Sequence, residues 1–153
     1  MIIWKEGDLF NSTCQTLVNT INCVGVMGKG IALEFKKRFP SMFNAYKKIC
    51  NEHLLIPGDI WMYRLNEPSL FGGMKQVMCF ATKGDWRNPS RIEYIKRGLV
   101  LFVKNYKQYN ISSIAFPKLG CNNGGLDWEK QVKPLMIQYL EPLSNDIKIE
   151  IWE

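Results

Sequence analysis

The chain has 153 residues, 46% of them hydrophobic, which predicts one globular domain over residues 1–153 that buries about two thirds of its unfolded surface. The net charge of +6 and the pI of 9.1 favour an anionic partner such as a nucleotide or nucleic acid, although scattered lysines also fit ordinary solubility charge. Five cysteines with no C-x-x-C pair and a single histidine indicate free thiols in a reducing compartment and argue against a zinc site, so no metal is expected.

The N-terminus is charged where a signal peptide would be apolar, and no apolar run reaches membrane-spanning length. We therefore expect a soluble, cytoplasmic protein. Residues 2–5 and 16–21 predict two short strands, the first closed by Gly7 and Asp8. The second strand runs into residues 22–30, a loop with three glycines in six positions.

Apolar residues recur every four positions over residues 31–39, which predicts a helix that Pro40 stops. Ser41 is then predicted to cap a second helix that runs to about residue 52. Residues 57–59 have the composition of a turn.

Residues 60–65 and 76–82 predict two strands, and the polar, glycine-bearing connection over residues 66–73 indicates a hairpin or adjacent pair. A loop over residues 83–90 follows. Apolar positions at helical spacing predict a third helix from residue 91 to about residue 106.

Residues 113–117 predict a short buried strand that leads into a second glycine loop, residues 119–126. Because Pro134 suits the first turn of a helix, a helical turn over residues 127–131 is predicted to precede a main helix over residues 134–140.

Residues 147–152 alternate between apolar and polar and predict a last strand. Strands that alternate with helices through crossovers of ten or more residues indicate an α/β protein with a three-layer α/β/α arrangement, whose central sheet is mixed and mostly parallel. Such sheets bind ligands at the carboxyl ends of their strands, where both glycine loops fall.

Glycine loops between a strand and a helix expose main-chain N–H groups to an anion, and two of them at one sheet edge suit a diphosphate. The first loop is neither a P-loop nor a G-x-G-x-x-G fingerprint, and a plain strand-to-helix turn explains it equally well. Asp8 is placed to accept from an exocyclic amine such as that of adenine, or is a turn former. Trp152 is placed to stack on a base, or simply packs.

The order and spacing of these motifs resemble the macro domain family of ADP-ribose-binding and ADP-ribose-hydrolysing modules along the whole chain. The matching pieces are Gly7-Asp8-Leu9, Asn19-Thr20-Ile21-Asn22, Gly28-Lys29-Gly30-Ile31-Ala32, Phe116-Pro117-Lys118-Leu119-Gly120-Cys121 and the terminal strand. Residues 22–32, Thr82-Lys83, Trp86-Arg87 and residues 124–128 look most similar to the DNA ADP-ribosyl glycohydrolase antitoxins (DarG). They are also similar to the terminal ADP-ribose protein glycohydrolases.

This resemblance implies that Asp8, with Leu9 beside it, holds the adenine amine, and that Trp152 stacks on the adenine ring. It implies that Asn22 contacts the distal ribose and that hydrolysis depends on Lys83, which the sequence alone would describe as a surface lysine. No cofactor or metal is implied. The diphosphate would be enclosed by the backbone of Met27, Gly28, Gly30, Ile31, Leu119, Gly120, Cys121, Asn122, Asn123 and Gly124.

Two positions depart from the family pattern. The terminal ADP-ribose glycohydrolases have an aspartate where this chain has Gly124, and that aspartate helps to release ADP-ribose from protein carboxylates. The absence of this aspartate argues against a protein substrate and agrees with the DNA-directed group. Asn122 and Asn123 replace the more usual Gly-Leu.

The first hypothesis is an enzyme that removes ADP-ribose from thymine in single-stranded DNA and so reverses a toxin's modification. Lys83 would protonate the departing base as an ammonium, or attack the sugar as a free amine with its pKa lowered by desolvation or by Arg87 or Lys118. Trp86 beside Arg87 would help a DNA strand to approach.

Two other hypotheses stay open. One is a hydrolase of ADP-ribosylated protein carboxylates or O-acetyl-ADP-ribose, and the other is a non-catalytic ADP-ribose-binding module. The expected partners are ADP-ribose, ADP-ribosylated single-stranded DNA and a cognate ADP-ribosyltransferase toxin, with no membrane. We expect a monomer that is either an excised domain or a free-standing relative.

Overall fold

The computed structural model of the chain describes residues 1–66 and 73–153, so most of the predicted connection over residues 66–73 lies outside the described residues. The strands are β1 (Ile3–Lys5), β2 (Thr16–Ile21), β3 (Ile60–Arg64), β4 (Gln76–Ala81), β5 (Ser113–Phe116) and β6 (Lys148–Trp152). The α-helices are α1 (Gly30–Arg38), α2 (Pro40–Asn51), α3 (Ile92–Asn105) and α4 (Lys133–Leu140). Short 3₁₀ turns cover Leu9–Asn11 and Glu141–Asn145, and a π-helical turn covers Trp128–Val132.

The described strands form one sheet in the order β1-β6-β5-β2-β4-β3. Neighbouring strands are parallel, except that β3 pairs with β4 antiparallel. The predicted mixed, mostly parallel sheet and the adjacent pair of β3 and β4 are therefore confirmed. No helix within residues 1–66 and 73–153 combines the length and the apolar character needed to cross a membrane.

Helices cover both faces of the sheet and enclose two apolar cores. On one face, α1 and α2 bury Phe35 and Tyr46. On the other face, α3 and α4 bury Phe102 and Met136 in the core that also holds Phe80 of β4. Because side chains alternate along a strand, β4 contributes to both cores, and all of its residues are buried.

Helix α3 lies close against the sheet at Gly98. A Cβ at this position would overlap the ring of Phe80, which lies fully buried on β4. Since glycine has no side chain, α3 can lie directly against this ring.

The prediction that Ser41 caps the second helix is wrong. Helix α2 begins one residue earlier, at Pro40, and Phe39 lies between it and the end of α1. The N–H of Phe39 donates to Phe35 O at 2.8 Å and closes α1. Proline tolerates the first turn of a helix because the N–H that it lacks would have no partner there, so Pro40 starts a helix here.

The predicted helical turn before α4 is present as the π-helical turn over Trp128–Val132. The carboxylate of Asp127 caps it by accepting the N–H of Lys130 at 2.8 Å. The turn continues directly into α4, with Pro134 in its first turn as predicted.

The parallel strands β1, β2, β4, β5 and β6 all end at the same edge of the sheet. This carboxyl edge carries the turn at Asp8, the two glycine loops, the segment after β4 and the end of β6. The sequence features that were predicted to bind a ligand therefore lie together, where parallel sheets bind their ligands.

Candidate active site

A cleft of about 350 Å³ opens at the carboxyl edge. Its lining includes five residues that the sequence predicted for binding: Asp8, Leu9, Ile31, Asn122 and Trp152. Six further residues line it that were not predicted as site residues: Gly7, Phe10, Glu34, Pro117, Lys118 and Glu153. Most of these residues are next to a predicted residue in the sequence, and Glu34 lies about one helical turn after Ile31. Their closeness to predicted site residues in the sequence could therefore have identified them.

Asp8 lies exposed in the wall of the cleft, directly before the 3₁₀ turn Leu9–Asn11. Its Oδ1 accepts the N–H of Phe10 at 2.9 Å and so caps this turn. This bond uses one carboxylate oxygen for the turn. The geometry is compatible with both interpretations of Asp8, as a turn former and as an acceptor for an amine.

The indole of Trp152 is an almost buried part of the cleft lining, with 9% of the residue exposed. Its Nε1 donates to Oε1 of Glu150 at 2.9 Å, and the same oxygen accepts the hydroxyl of Ser12 at 2.6 Å. Burial alone would raise the pKa of Glu150, but hydrogen bonds from Ser12, Trp152 and Cys14, together with the charge of Lys148, outweigh it, and the pKa of this carboxyl lies below its ordinary value. The buried carboxylate of Glu150 thus connects Trp152, in the cleft wall, to Ser12, in the segment after Asp8. This role for Glu150 was not predicted from the sequence.

Asn22 organises the first glycine loop from inside. Its Oδ1 accepts the N–H groups of Val24 at 3.1 Å and Val26 at 3.4 Å, and the hydroxyl of Tyr46 at 2.7 Å. Its Nδ2 donates to Val26 O at 2.7 Å. In this structure the amide holds the loop, and its contact with a distal ribose stays a prediction.

The first loop ends at the N-terminus of α1. The cap residue Lys29 makes no side-chain capping hydrogen bond. Backbone N–H groups at the start of a helix favour an anion. Of the predicted binding residues here, Met27 is buried, Gly28 is exposed and Gly30 has a positive φ of 56°. A Cβ on Gly30 would lie 3.1 Å from Nδ2 of Asn123, so the two glycine loops approach each other closely.

The second glycine loop is buried at both of its ends and exposed in its middle. Leu119, Gly120 and Gly124 are buried, Cys121 is half-buried, and Asn122 and Asn123 are exposed. The N–H of Ser90 donates to Gly124 O at 2.9 Å. A side chain at position 124 would overlap the carbonyl oxygen of Gly120 and the hydroxyl of Ser90. This loop is therefore built around a glycine at that position.

Lys83 lies directly after β4 and connects the segments around it. Its Nζ donates to Asn123 O at 2.6 Å and to Trp86 O at 3.3 Å. The N–H of Cys23, in the first glycine loop, donates to Gly84 O at 2.8 Å. The ammonium group therefore contacts the second glycine loop, while the backbone beside it is fixed to the first.

The pKa of Lys83 is lowered by burial and, next, by the positive charge of Lys29. The prediction that Arg87 or Lys118 supplies this neighbouring charge is wrong. Arg87 instead pairs with Asp85 at 2.7 Å. Spacing in the sequence could not identify Lys29 as the source of this charge. Lys29 precedes α1 and Lys83 follows β4, and the two residues come near each other only when the chain has folded around β2.

The five cysteines are free thiols. Among the described residues, no group of three or more His, Cys, Asp or Glu side chains is arranged to hold a metal ion.

The fold is an α/β/α module with two glycine loops at the carboxyl edge of its sheet. The family model described as Macro domain matches residues 18–135, and the chain belongs to this family. The DNA ADP-ribosyl glycohydrolase of Mycobacterium tuberculosis (strain ATCC 25618 / H37Rv) is 46% identical over 129 residues, which cover 84% of this chain and 36% of that protein.

Solved structures extend the similarity to the whole chain. The macrodomain of Mycobacterium tuberculosis DarG superposes with a TM-score of 0.92 at 41% identity, covering 99% of this chain and 97% of that one. Thermosipho africanus DarTG in complex with ADP-ribose superposes with a TM-score of 0.88 at 38% identity, covering 98% of this chain and 41% of that one. The chain spans about two fifths of the length of the similar DNA ADP-ribosyl glycohydrolases, from 36% to 40%.

Proposed function

We propose that this chain is an ADP-ribosyl glycohydrolase that removes ADP-ribose from thymidine in single-stranded DNA and so reverses a toxin's modification. The observation that carries the proposal is the position of Lys83, whose Nζ lies 2.6 Å from the carbonyl of Asn123 in the second glycine loop. A partly desolvated cation at a phosphate-binding edge is typical of a catalytic group.

The cleft and the loops support ADP-ribose as the ligand. The walls around Asp8 and Trp152 offer an acceptor and a ring to the adenine, and the N-terminus of α1 offers N–H groups to the diphosphate. A similar protein has been solved in complex with ADP-ribose. Asn22 and Lys83 do not line the cleft, so the distal ribose would extend beyond it, past the second glycine loop, toward Lys83.

Hydrolysis of the N-glycosidic bond breaks the link between the anomeric carbon and the base nitrogen, and the electron pair leaves with the base. The oxygen of water bonds to the carbon, and the base nitrogen takes up a proton. Lys83 donates to two carbonyl oxygens as an ammonium, and we assign this group as the source of that proton; the free amine that remains takes up the proton that water loses when its oxygen bonds to the carbon. The role of Asn22 is to hold the loop that positions the sugar.

Gly124 supports a DNA substrate over a protein carboxylate. The aspartate that the protein-directed group has at this position would overlap Gly120 O and the Ser90 hydroxyl, so this loop does not accept it as folded. The net charge of +6 suits a polyanionic substrate. The relatives named DNA ADP-ribosyl glycohydrolase agree with this choice.

The proposed activity implies a second protein, since an enzyme that removes ADP-ribose from DNA requires a transferase that attaches it. We therefore propose a cognate ADP-ribosyltransferase toxin as the partner of the system. A monomeric protein in the cytoplasm, without membrane attachment, fits this role.

The test compares wild type with Lys83→Ala on a single-stranded oligonucleotide that carries one ADP-ribosylated thymidine. We expect release of free ADP-ribose by wild type and a loss of about 100-fold or more in the variant, because the group that protonates the base is removed. Calorimetry should show ADP-ribose still bound by the variant. Lys96→Ala, at an exposed position on α3, is the matched control and should keep full activity.

Two results would count against the proposal. Faster release by wild type from an ADP-ribosylated glutamate peptide than from DNA would make the protein a carboxylate-directed hydrolase. Tight ADP-ribose binding with no release from either substrate would make it a non-catalytic binding module.

A further inference from the structure

Trp86 is an exposed aromatic side chain beside the proposed catalytic lysine. It is 53% exposed, whereas Trp152 in the cleft wall is 9% exposed. The carbonyl oxygen of Trp86 accepts the Nζ of Lys83 at 3.3 Å. A large apolar ring in water does not stabilise the fold, so an exposed indole in this position has the character of a contact surface.

The turn that carries Trp86 is fixed by Asp85. The carboxylate of Asp85 accepts the backbone N–H of Arg87 at 2.9 Å and two N–H groups of its guanidinium at 3.0 and 2.7 Å. The backbone carbonyl of Asp85 accepts the N–H of Asn88 at 3.1 Å. Trp86 is therefore displayed by a bonded turn, which limits the ordering entropy that binding would cost.

Arg87 completes the surface. Its guanidinium carbon lies 5.6 Å from the centre of the Trp86 ring. Asp85 holds one edge of the guanidinium, and the N–H groups that do not face Asp85 can donate to a phosphate. An aromatic face beside a phosphate donor is the combination that binds single-stranded nucleic acid.

The same turn is connected to the second glycine loop. The N–H of Ser90 donates to Gly124 O at 2.9 Å, and Lys83 bonds the carbonyl of Asn123. A strand whose modified base lies at Lys83 would therefore pass Trp86 within one or two nucleotides. The charge of Lys29 acts on Lys83, so the two lysines together add positive charge near this segment for the phosphates of the strand.

We propose that Trp86 and Arg87 form a nucleobase-stacking subsite that holds a nucleotide adjacent to the modified thymidine. The inference rests on the proposed function, since it assumes a DNA strand as the substrate. Stacking tolerates any base, so the subsite confers recognition of a single strand without sequence preference.

The test uses Trp86→Ala and Trp86→Phe with two substrates: ADP-ribosylated thymidine within a short single-stranded oligonucleotide, and the same modified nucleotide without neighbours. Trp86→Ala is expected to lower kcat/KM on the oligonucleotide by about 5- to 150-fold, mainly through KM, and to leave the mononucleotide within about twofold. Trp86→Phe should recover most of the loss because it keeps an aromatic face. Trp4→Ala, which removes another partly exposed indole on β1, is the matched control.

A second measurement separates this subsite from the proposed function. Fluorescence anisotropy with an unmodified, labelled single-stranded oligothymidine should show weaker binding by Trp86→Ala than by wild type. If wild type cleaves neither substrate but this difference persists, the glycohydrolase fails and the subsite stands. Two results would overturn the subsite. One is an equal loss of kcat/KM by Trp86→Ala on both substrates with unchanged DNA binding. The other is a rate loss confined to an ADP-ribosylated peptide, which would make Trp86 a protein contact.

Discussion

Lys83 combines a lowered pKa with two carbonyl acceptors. Burial and the charge of Lys29 disfavour its ammonium form, while Asn123 O and Trp86 O accept hydrogen bonds from it. Hydrogen bonds to two carbonyl oxygens favour the ammonium form, so we assign the side chain as a cation at the start of the reaction. This is the state that a general acid needs.

The first prediction concerns the pH dependence of kcat. As pH rises through the lowered pKa of Lys83, the ammonium loses its proton and can no longer protonate the departing base, so kcat should be flat near neutrality and fall on the alkaline side. The fall should begin below the ordinary pKa of lysine. A single-turnover series on the ADP-ribosylated oligonucleotide measures it.

Lys83→Arg is the companion variant. Its guanidinium keeps the charge but does not release a proton in this range, so we expect low activity and no alkaline fall. A kcat of wild type that rises with pH over the same interval would contradict the acid role. It would instead assign Lys83 as the free amine that attacks the sugar, and borohydride trapping of the resulting imine would follow.

At the scale of elements, β6 and the turn after β1 are joined by Glu150. Its Oε1 accepts both the indole N–H of Trp152 and the hydroxyl of Ser12, and Glu150 is only 3% exposed. We predict that Glu150→Ala weakens ADP-ribose binding by about 5- to 30-fold, because the buried indole N–H of Trp152 and the half-buried hydroxyl of Ser12 lose their shared acceptor and the cleft wall at Trp152 becomes mobile. Isothermal titration with ADP-ribose measures the change.

Glu150→Gln is the matched control, since its amide oxygen still accepts a hydrogen bond. It should bind ADP-ribose within a few fold of wild type. Glu129→Ala, at an exposed position before α4, controls for loss of a carboxylate elsewhere. An unchanged affinity in Glu150→Ala, in a protein that unfolds normally with heat, would show that Trp152 needs no such support.

Local patterns in the sequence were sufficient to predict most elements. The apolar spacing over residues 91–106 and the alternation over residues 147–152 correspond closely to α3 and β6. Glu150 shows where alternation misleads, because its place between Ile149 and Ile151 suggests a solvated side chain. It is buried since the segment near Ser12 covers that face of β6, which is a tertiary contact that no local pattern contains.

The approach of Lys83 to Asn123 was also beyond local pattern. The two residues are 40 positions apart and meet because β2 lies between β4 and β5, so that the three loops after these strands are neighbours. Periodicity predicts strands but does not give their order in the sheet. The resemblance to a family singled out Lys83, while the contacts that lower its pKa came only from the fold.

At the scale of the whole molecule, the sheet has a core on each face and a ligand site at one edge. Strand β4 is buried on both faces and ends at Ala81, two residues before Lys83, so the residue proposed for catalysis follows a fully enclosed strand closely. This rigid support suits a group that must hold its position against a transition state. The position of Lys83 therefore also depends on how β4 packs against its helices.

The last prediction tests that packing. Gly98→Ala adds a methyl group that would overlap the buried ring of Phe80, and overpacking of this kind costs about 1–3 kcal/mol, more than the gain of up to about 1 kcal/mol in helix propensity. Urea unfolding should therefore show a lower free energy of unfolding with an unchanged m-value, whereas Lys96→Ala on the exposed face of α3 should change it by less than about 0.5 kcal/mol. A Gly98→Ala protein as stable as wild type would mean that α3 can move away from β4 without loss, which would contradict the prediction.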